Sequence, residues 1–142
     1  MYRVFLSRYL LLLTLLPAAF NAYAVNNQEL TKAAVKVYYS ALENHDIAKL
    51  GSYYAQDITY EDIATGEVIK GRDQALEYVK SFLESSPGLK VKATQVVFDA
   101  DSASVEWVMS AGSGKDAWSV RGASVINHKN GLMTRVSDYW NN

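Results

Sequence analysis

Residues 58–73 read ITYEDIATGEVIKGRD, and this stretch decides the fold class of the chain. Apolar and polar residues alternate from Ile58 to Ile63, as in a half-buried strand. Ala64-Thr65-Gly66 is a turn signal, and residues 67–70 return as a short second strand. Gly71-Arg72-Asp73 predicts a turn with an N-cap, followed by a helix. A hairpin that passes directly into a helix favours a fold that mixes helices with antiparallel strands.

The alternation also predicts which way each side chain of the first strand faces. Successive side chains point to opposite faces of a sheet, so Tyr60 and Asp62 share one face and Glu61 lies on the other. If the Tyr60 face is turned inward, Asp62 is a carboxylate in an apolar cavity and Glu61 faces away from it. The alternative is a structural role, in which Asp62 accepts hydrogen bonds from backbone N–H groups of the turn at residues 64–66.

Two helices are predicted before this strand. Apolar residues fall at helical spacing over residues 28–44, and Asn27 is the candidate N-cap. Asp46 can cap a second, short helix that ends at Gln56-Asp57. Each helix would present one apolar face to a core.

A third helix and four strands are predicted after the hairpin. The buried face of that helix is predicted at Leu76, Val79, Phe82 and Leu83. Turn signals, of which Asn130-Gly131 is the strongest, separate long alternating runs. Those runs cover residues 89–99, 102–111, 116–128 and 132–140. Helices first and an antiparallel meander last indicate an α+β fold, with about three N-terminal helices packed on a curved, mostly antiparallel sheet.

The first 24 residues have the composition of a secretory signal peptide. Arg3 and Arg8 precede an apolar run at residues 9–16, and Ala22-Tyr23-Ala24 follows it with small residues suited to cleavage. The run is too short to span a membrane, so no stable span is expected after cleavage. We therefore predict a periplasmic or secreted protein whose single domain covers residues 25–142.

Composition argues against several classes of partner. Without Arg3 and Arg8 the chain holds 12 basic residues against 15 acidic ones, and it has no Lys/Arg cluster, so no nucleic-acid partner is expected. There is no cysteine, and His45 and His128 are the only histidines. This set is poor in the nitrogen and sulfur ligands of zinc and similar metals, so neither a metal nor a cofactor is predicted.

In their order, these features resemble the nuclear transport factor 2-like superfamily, and within it the SnoaL-like and ketosteroid-isomerase-like branches. Two stretches carry the likeness: VYYSALENHDIAKLGSYYAQDITYEDIATGEVIKGRDQALEYVKSF at residues 37–82, and RGASVINHKNGLMTRVSDYWNN at residues 121–142. The resemblance implies a cone-shaped fold, in which the curved sheet wraps the first helix and leaves a pocket open at one end.

The resemblance also implies roles for three residues. Asp62 matches the general base of ketosteroid isomerases, and Tyr38 matches their oxyanion donor, with Tyr39 as the choice if the helix phase differs by one residue. Asp138 matches the acid/base aspartate of SnoaL-like cyclases, although a surface pair with Arg121 or Arg135 is equally open. The second oxyanion acid of the isomerases has no counterpart near residues 122–124, and we assign no catalytic role to His128.

The pocket is expected to bind a small hydrophobic ligand through apolar and aromatic side chains. The predicted ligand-binding residues are Tyr54, Tyr60, Val79, Phe82, Trp107, Trp118 and Trp140. The same aromatic residues could instead serve core packing or, on the outer face of the sheet, a homodimer interface, which family members often have. Glu106 and Arg121 either form an internal ion pair or face solvent.

Two functions remain open at this point. One is a cofactor-independent isomerase, cyclase or dehydratase, in which Asp62 moves a proton of a hydrophobic carbonyl compound and Tyr38 polarises its oxygen. The other is a non-catalytic carrier, sensor or interaction module that uses the same pocket.

Overall fold

The structure, a computed structural model, describes residues 16–141, and the side chains of residues 27–141. Three helices occupy Leu16–Glu43 (α1), Ile47–Tyr53 (α2) and Arg72–Glu84 (α3). Six strands occupy Tyr54–Asp62 (β1), Glu67–Lys70 (β2), Lys90–Phe98 (β3), Ser102–Ala111 (β4), Trp118–Lys129 (β5) and Leu132–Trp140 (β6). The predicted signal peptide, residues 1–24, lies for the most part outside the described residues. No helix within residues 16–141 combines the length and the hydropathy needed to cross a bilayer.

The six strands form one sheet in the order β2-β1-β6-β5-β4-β3. Every neighbouring pair is antiparallel except β1 and β6, which run parallel. The helices pack on this curved, open sheet, and the predicted α+β fold is confirmed. The parallel pair matters for function because it places Asp62 directly beside Asp138 in the register.

The core lies between α1 and the inner face of the sheet. Ala34, Tyr38, Ala41 and Leu42 of α1 are almost fully buried, at the three- and four-residue spacing of one helix face. On α3 the fully buried residues are Ala75, Val79 and Leu83, while Leu76 and Phe82 are half-buried. The predicted face of α3 is therefore shifted toward Ala75, which is small enough to allow close packing.

The helix boundaries differ from prediction at two places. Helix α1 begins at Leu16 rather than Gln28, so Asn27 lies inside the helix and does not cap it. Several alanines precede Asn27, and alanine is the strongest helix former. Helix α2 ends at Tyr53 rather than at Asp57, because Tyr54 already pairs with Met133 of β6.

The second and third helices are capped by Asp46 and Gly71. Asp46 caps α2, and its Oδ1 accepts a hydrogen bond from the Lys49 backbone N–H at 2.9 Å, as predicted. The cap of α3 is Gly71, the first residue of the predicted turn at residues 71–73. Gly71 has a φ of 91°, and its N–H donates to the Ile58 carbonyl at 2.8 Å. A residue with a side chain would be strained there, which explains why the turn uses glycine.

Candidate active site

A cavity of about 480 Å³ lies between α1, α3 and the inner face of the sheet. Its volume is within the range of pockets that hold small organic molecules. Its walls are mostly aromatic and aliphatic, with two carboxylates and several hydroxyl groups. The lining residues are Tyr38, Leu42, Tyr60, Asp62, Thr65, Tyr78, Val79, Phe82, Ser85, Ser86, Trp107, Met109, Trp118, Ser119, Val120, Asp138, Trp140 and Asn141.

The two carboxylates of the cavity are neighbours on adjacent strands. Asp62 ends β1, Asp138 lies near the end of β6, and the two residues are partners in the parallel register. Their side chains point into the same cavity, and their exposed fractions are only 8% and 7%. Local sequence patterns indicate an inward position for each residue separately, whereas their adjacency comes from the pairing of β1 with β6.

Asp62 combines the two roles that the sequence left open. Its Oδ1 accepts hydrogen bonds from the Trp140 Nε1–H at 2.9 Å and from the Thr65 backbone N–H at 3.2 Å. Its Oδ2 accepts a hydrogen bond from the Tyr78 hydroxyl at 2.9 Å. Asp62 therefore stabilises the turn after β1 and also lines the cavity. A carboxylate offers about four acceptor sites, so one remains open toward a ligand.

The Asp138 carboxylate is held by two buried hydroxyl groups. Its Oδ1 accepts a hydrogen bond from Ser124 Oγ at 2.5 Å, and its Oδ2 accepts one from the Tyr60 hydroxyl. Burial raises the pKa of Asp138 to about 6, and the nearby Asp62 charge adds to this, while the two hydrogen bonds act in the opposite direction. The alternative of a surface pair with Arg121 or Arg135 is wrong, because Asp138 is buried and forms no ion pair among the described residues. Arg135 binds Glu61 instead, with Nη2 at 2.6 Å from Oε2.

Ser124 holds Asp138 in place through a small buried network. Its hydroxyl oxygen accepts hydrogen bonds from the Tyr39 hydroxyl at 3.0 Å and from the Trp107 Nε1–H at 2.9 Å. Serine has two acceptor lone pairs and one proton. With both lone pairs occupied, the single proton of Ser124 is directed to Asp138.

Sequence reasoning missed Ser124 and Tyr78 as site residues. The resemblance to ketosteroid isomerases calls for an acid near residues 122–124, and a serine there carries no signal of its own. Its inward position on β5 follows from the alternation, but its two donors come from α1 and β4. Tyr78 lies on α3 next to Val79. Its pKa is raised to about 12, first by burial and then by its hydrogen bond to Asp62.

The structure distinguishes Tyr38 from Tyr39. Tyr38 lines the cavity, whereas Tyr39 lies beside it and donates to Ser124. Burial raises the pKa of Tyr38 well above its usual value, and Tyr60, Tyr54 and Asp138 raise it further. Tyr38 is therefore a neutral hydroxyl that can donate a hydrogen bond to a ligand.

Six of the seven predicted ligand-binding residues line the cavity, and Tyr54 does not. Tyr54 is fully buried behind Tyr38, with their ring centroids 6.3 Å apart. A register shift between Tyr54 and Thr59 breaks the simple alternation of β1. Tyr54 is thus a core residue, and its hydroxyl has no hydrogen-bond partner among the described residues.

The remaining charged candidates lie outside the cavity. Glu61 faces the outer side of the sheet, as predicted, and accepts hydrogen bonds from Arg135 and, at 2.6 Å, from Ser137 Oγ. Glu106 and Arg121 are exposed, which agrees with the solvent-facing alternative. His128 is buried away from the cavity lining, and burial lowers its pKa to about 4. Residues 16–141 contain no group of three or more His, Cys, Asp or Glu side chains placed to hold a metal ion.

Comparison with known proteins agrees with this architecture. Residues 35–136 match the model of a family of SnoaL-like domains. No curated protein matches the chain in sequence.

Three similar solved structures illustrate the fold. A candidate ketosteroid isomerase from Kribbella flavida is 25% identical, covers 82% of this chain and 81% of its own, and has a TM-score of 0.71. An epoxide hydrolase of the LEH-like type from Mycobacterium tuberculosis is 19% identical, with coverages of 80% and 84% and a TM-score of 0.71. A hypothetical protein with a ketosteroid isomerase-like fold from Catenulispora acidiphila, in complex with trimethylamine, is 23% identical, with coverages of 75% and 83% and a TM-score of 0.66.

Proposed function

Because the chain belongs to the family of SnoaL-like domains, we propose that it is a cofactor-independent enzyme that moves a proton within a small hydrophobic carbonyl compound. The observation that carries this proposal is the pair of buried carboxyl groups, Asp62 and Asp138, side by side in one cavity that also contains the Tyr38 hydroxyl. The reaction would be an isomerisation, a cyclisation or a dehydration.

Asp138 is the group best suited to carry the proton. General acid–base catalysis is most effective when the pKa of the catalytic group lies near the working pH. Burial brings the pKa of Asp138 to about 6, and the Asp62 charge next to it contributes in the same direction. In the proposed step, Asp138 takes a proton from the carbon beside the carbonyl group, with Asp62 as the neighbouring charge that raises its basicity. In an isomerisation it returns the proton to another carbon of the same molecule, and in a dehydration it gives the proton to the hydroxyl group that leaves as water.

Tyr38 supports that step by stabilising the enolate. When the proton leaves carbon, the electron pair moves to the carbonyl oxygen, which becomes negatively charged. Of the three tyrosines that line the cavity, Tyr60 and Tyr78 already donate their protons to the two carboxylates. Tyr38 is the tyrosine left to donate to the oxygen, and a donor of this kind typically contributes ~10²–10³ in rate.

Hydrogen–deuterium exchange tests the proposal without knowledge of the natural substrate. Small cyclic ketones such as 1-tetralone are incubated with the protein in D₂O, and exchange at the carbon next to the carbonyl is followed by NMR. We expect catalysed exchange, a loss of ~10²–10⁴ in Asp138→Asn, a smaller loss in Asp62→Asn, which removes only the neighbouring charge, and a loss of ~10²–10³ in Tyr38→Phe. Glu61→Gln is the matched control and should keep full activity, because Glu61 is adjacent to Asp62 but faces outward. Exchange at the buffer rate across the ketone panel would refute the catalytic proposal.

A second candidate function is binding without chemistry. The observation that favours it is the small number of hydrogen-bond donors free to bind an oxyanion. The one proton of Ser124 is directed to Asp138, so a developing oxyanion would depend on Tyr38 alone. In this case ketones would raise the melting temperature of the protein while their exchange rate stayed at that of buffer.

We further propose that the protein is exported and that its mature form begins near residue 25, on the basis of the residue pattern at positions 1–24. Fractionation of the native cells, with mass spectrometry of the mature N-terminus, tests this. A homodimer is proposed as the working assembly, and light scattering of the mature protein tests it.

A further inference from the structure

The negative charge of the cavity has no positive partner on its walls. Asp62 and Asp138 are both more than nine-tenths buried, and buried carboxylates are normally paired with a cation. The lining residues that the structure describes include no lysine, arginine or histidine. Among residues 27–141, the basic side chains that form ion pairs are Lys32, Lys80, Lys90 and Arg135, and all of them bind glutamates elsewhere.

The hydrogen bonds to the two carboxylates orient them without neutralising them. The donors are the hydroxyl groups of Tyr60, Tyr78 and Ser124, the indole N–H of Trp140 and the backbone N–H of Thr65. All five donors are neutral groups. They leave one acceptor site open on Asp62 and two on Asp138, counted from about four sites on each carboxylate.

The rest of the cavity wall is rich in aromatic rings. The aromatic lining residues are Tyr38, Tyr60, Tyr78, Phe82, Trp107, Trp118 and Trp140. The face of an aromatic ring carries negative potential and attracts cations, most strongly when the cation is shielded from water. An aromatic cavity of about 480 Å³ with two unneutralised carboxylates therefore favours a ligand of positive charge over a neutral one of the same shape.

We propose that the ligand of this cavity is an amine or quaternary ammonium compound whose cationic group lies beside Asp62 and Asp138, against the aromatic walls. The inference refines the ligand of the proposed function and rests on it for the use of this cavity. Combined with that function, it describes the substrate as a carbonyl compound that also carries an ammonium group.

A matched pair of probes isolates the effect of charge. Choline and 3,3-dimethylbutan-1-ol have the same shape, but only choline is charged. Binding of each is measured by NMR titration, with the indole N–H signals of Trp140 and Trp107 as reporters. The Trp140 signal is specific because that N–H donates to Asp62.

We expect choline to shift both indole signals and to bind at least about tenfold more tightly than the alcohol. Asp62→Asn or Asp138→Asn should abolish this preference while the affinity for the alcohol stays unchanged, and Glu61→Gln should keep it. Two carboxyl variants are used because either one could impair folding. The proposal is overturned if the alcohol binds as tightly as choline to the wild-type protein, or if the preference survives in both folded variants.

The outcome is separable from that of the proposed catalysis. Choline preference without ketone exchange would retain the ligand class and remove the enzyme. Ketone exchange without choline preference would retain the enzyme and remove the cationic ligand.

Discussion

Replacing Asp138 by asparagine should change how the stability of the protein depends on pH. The pKa of Asp138 is raised from 3.8 to about 6 in the folded protein, mainly by burial. The folded state therefore binds a proton more tightly than the unfolded state does, so this residue favours folding at low pH. That contribution is lost as the pH rises from 3.8 to 6. It corresponds to about 3 kcal/mol of unfolding free energy.

His128 acts in the opposite direction over nearly the same pH range. Burial lowers its pKa from 6.5 to about 4, so the unfolded state binds the proton more tightly. The contribution of His128 is present above pH 6.5 and is lost as the pH falls through 4, again by about 3 kcal/mol. The two effects oppose each other, so the stability of the wild-type protein should vary less between pH 4 and 6.5 than that of either single variant.

Urea unfolding followed by tryptophan fluorescence measures this directly. The unfolding free energy of wild type minus that of Asp138→Asn should fall by about 2 kcal/mol from pH 4 to pH 6.5, which is most of the full contribution. For His128→Leu the same difference should rise by a similar amount. Taking differences removes the titrating groups that the proteins share. If the difference in unfolding free energy between wild type and Asp138→Asn stays constant or rises with pH, the assignment of a raised pKa to Asp138 is refuted.

Glu61→Gln provides a control for the sign. Hydrogen bonds from Ser137 and Arg135 lower the pKa of Glu61, so its stabilisation is present at neutral pH and is lost as the pH falls. The wild-type-minus-Glu61→Gln difference should therefore rise with pH, opposite to the result for Asp138.

Three further substitutions test the structure around the site. Gly122→Ala should destabilise the fold by about 1–3 kcal/mol, because a Cβ would lie 2.3 Å from Trp107 Cη2 and 2.5 Å from the Tyr139 carbonyl oxygen; unchanged urea unfolding and near-UV circular dichroism would contradict this contact. Asp46→Ala should cost about 1 kcal/mol by removing the cap of α2, whereas Asp57→Ala, also at an exposed acid, should change the melting temperature little. Tyr39→Phe should cost about 1 kcal/mol in urea unfolding by removing a donor to Ser124, and an unaltered unfolding curve would speak against the buried network.

The faces of β1 could be predicted because they depend on local geometry alone. The two-residue period of a strand fixes Tyr60 and Asp62 on one side and Glu61 on the other. It holds over residues 58–63, where the register is regular. The period fails at Tyr54, because a register shift lies between Tyr54 and Thr59. No residue pattern in this segment predicts that shift.

The partners within the site could not be predicted, because they depend on which strands and helices become neighbours. The parallel pairing of β1 with β6 places Asp138 beside Asp62, and nothing in either segment alone specifies that choice. Ser124 is an ordinary strand residue until Tyr39 of α1 and Trp107 of β4 reach it. Such contacts are properties of the topology rather than of local sequence.

The parallel pairing of β1 with β6 also sets the order in which the molecule can be assembled. Tyr60 and Asp138, like Asp62 and Trp140, are separated by 78 residues along the chain. Contacts between such distant residues are slow to form, because the entropy of closing a long loop is lost before the contact is gained. A chain that has folded only as far as β5 lacks Asp138 and Trp140. A ligand that needs these residues cannot guide the early steps of folding, and it can stabilise the protein only after β6 has inserted between β1 and β5.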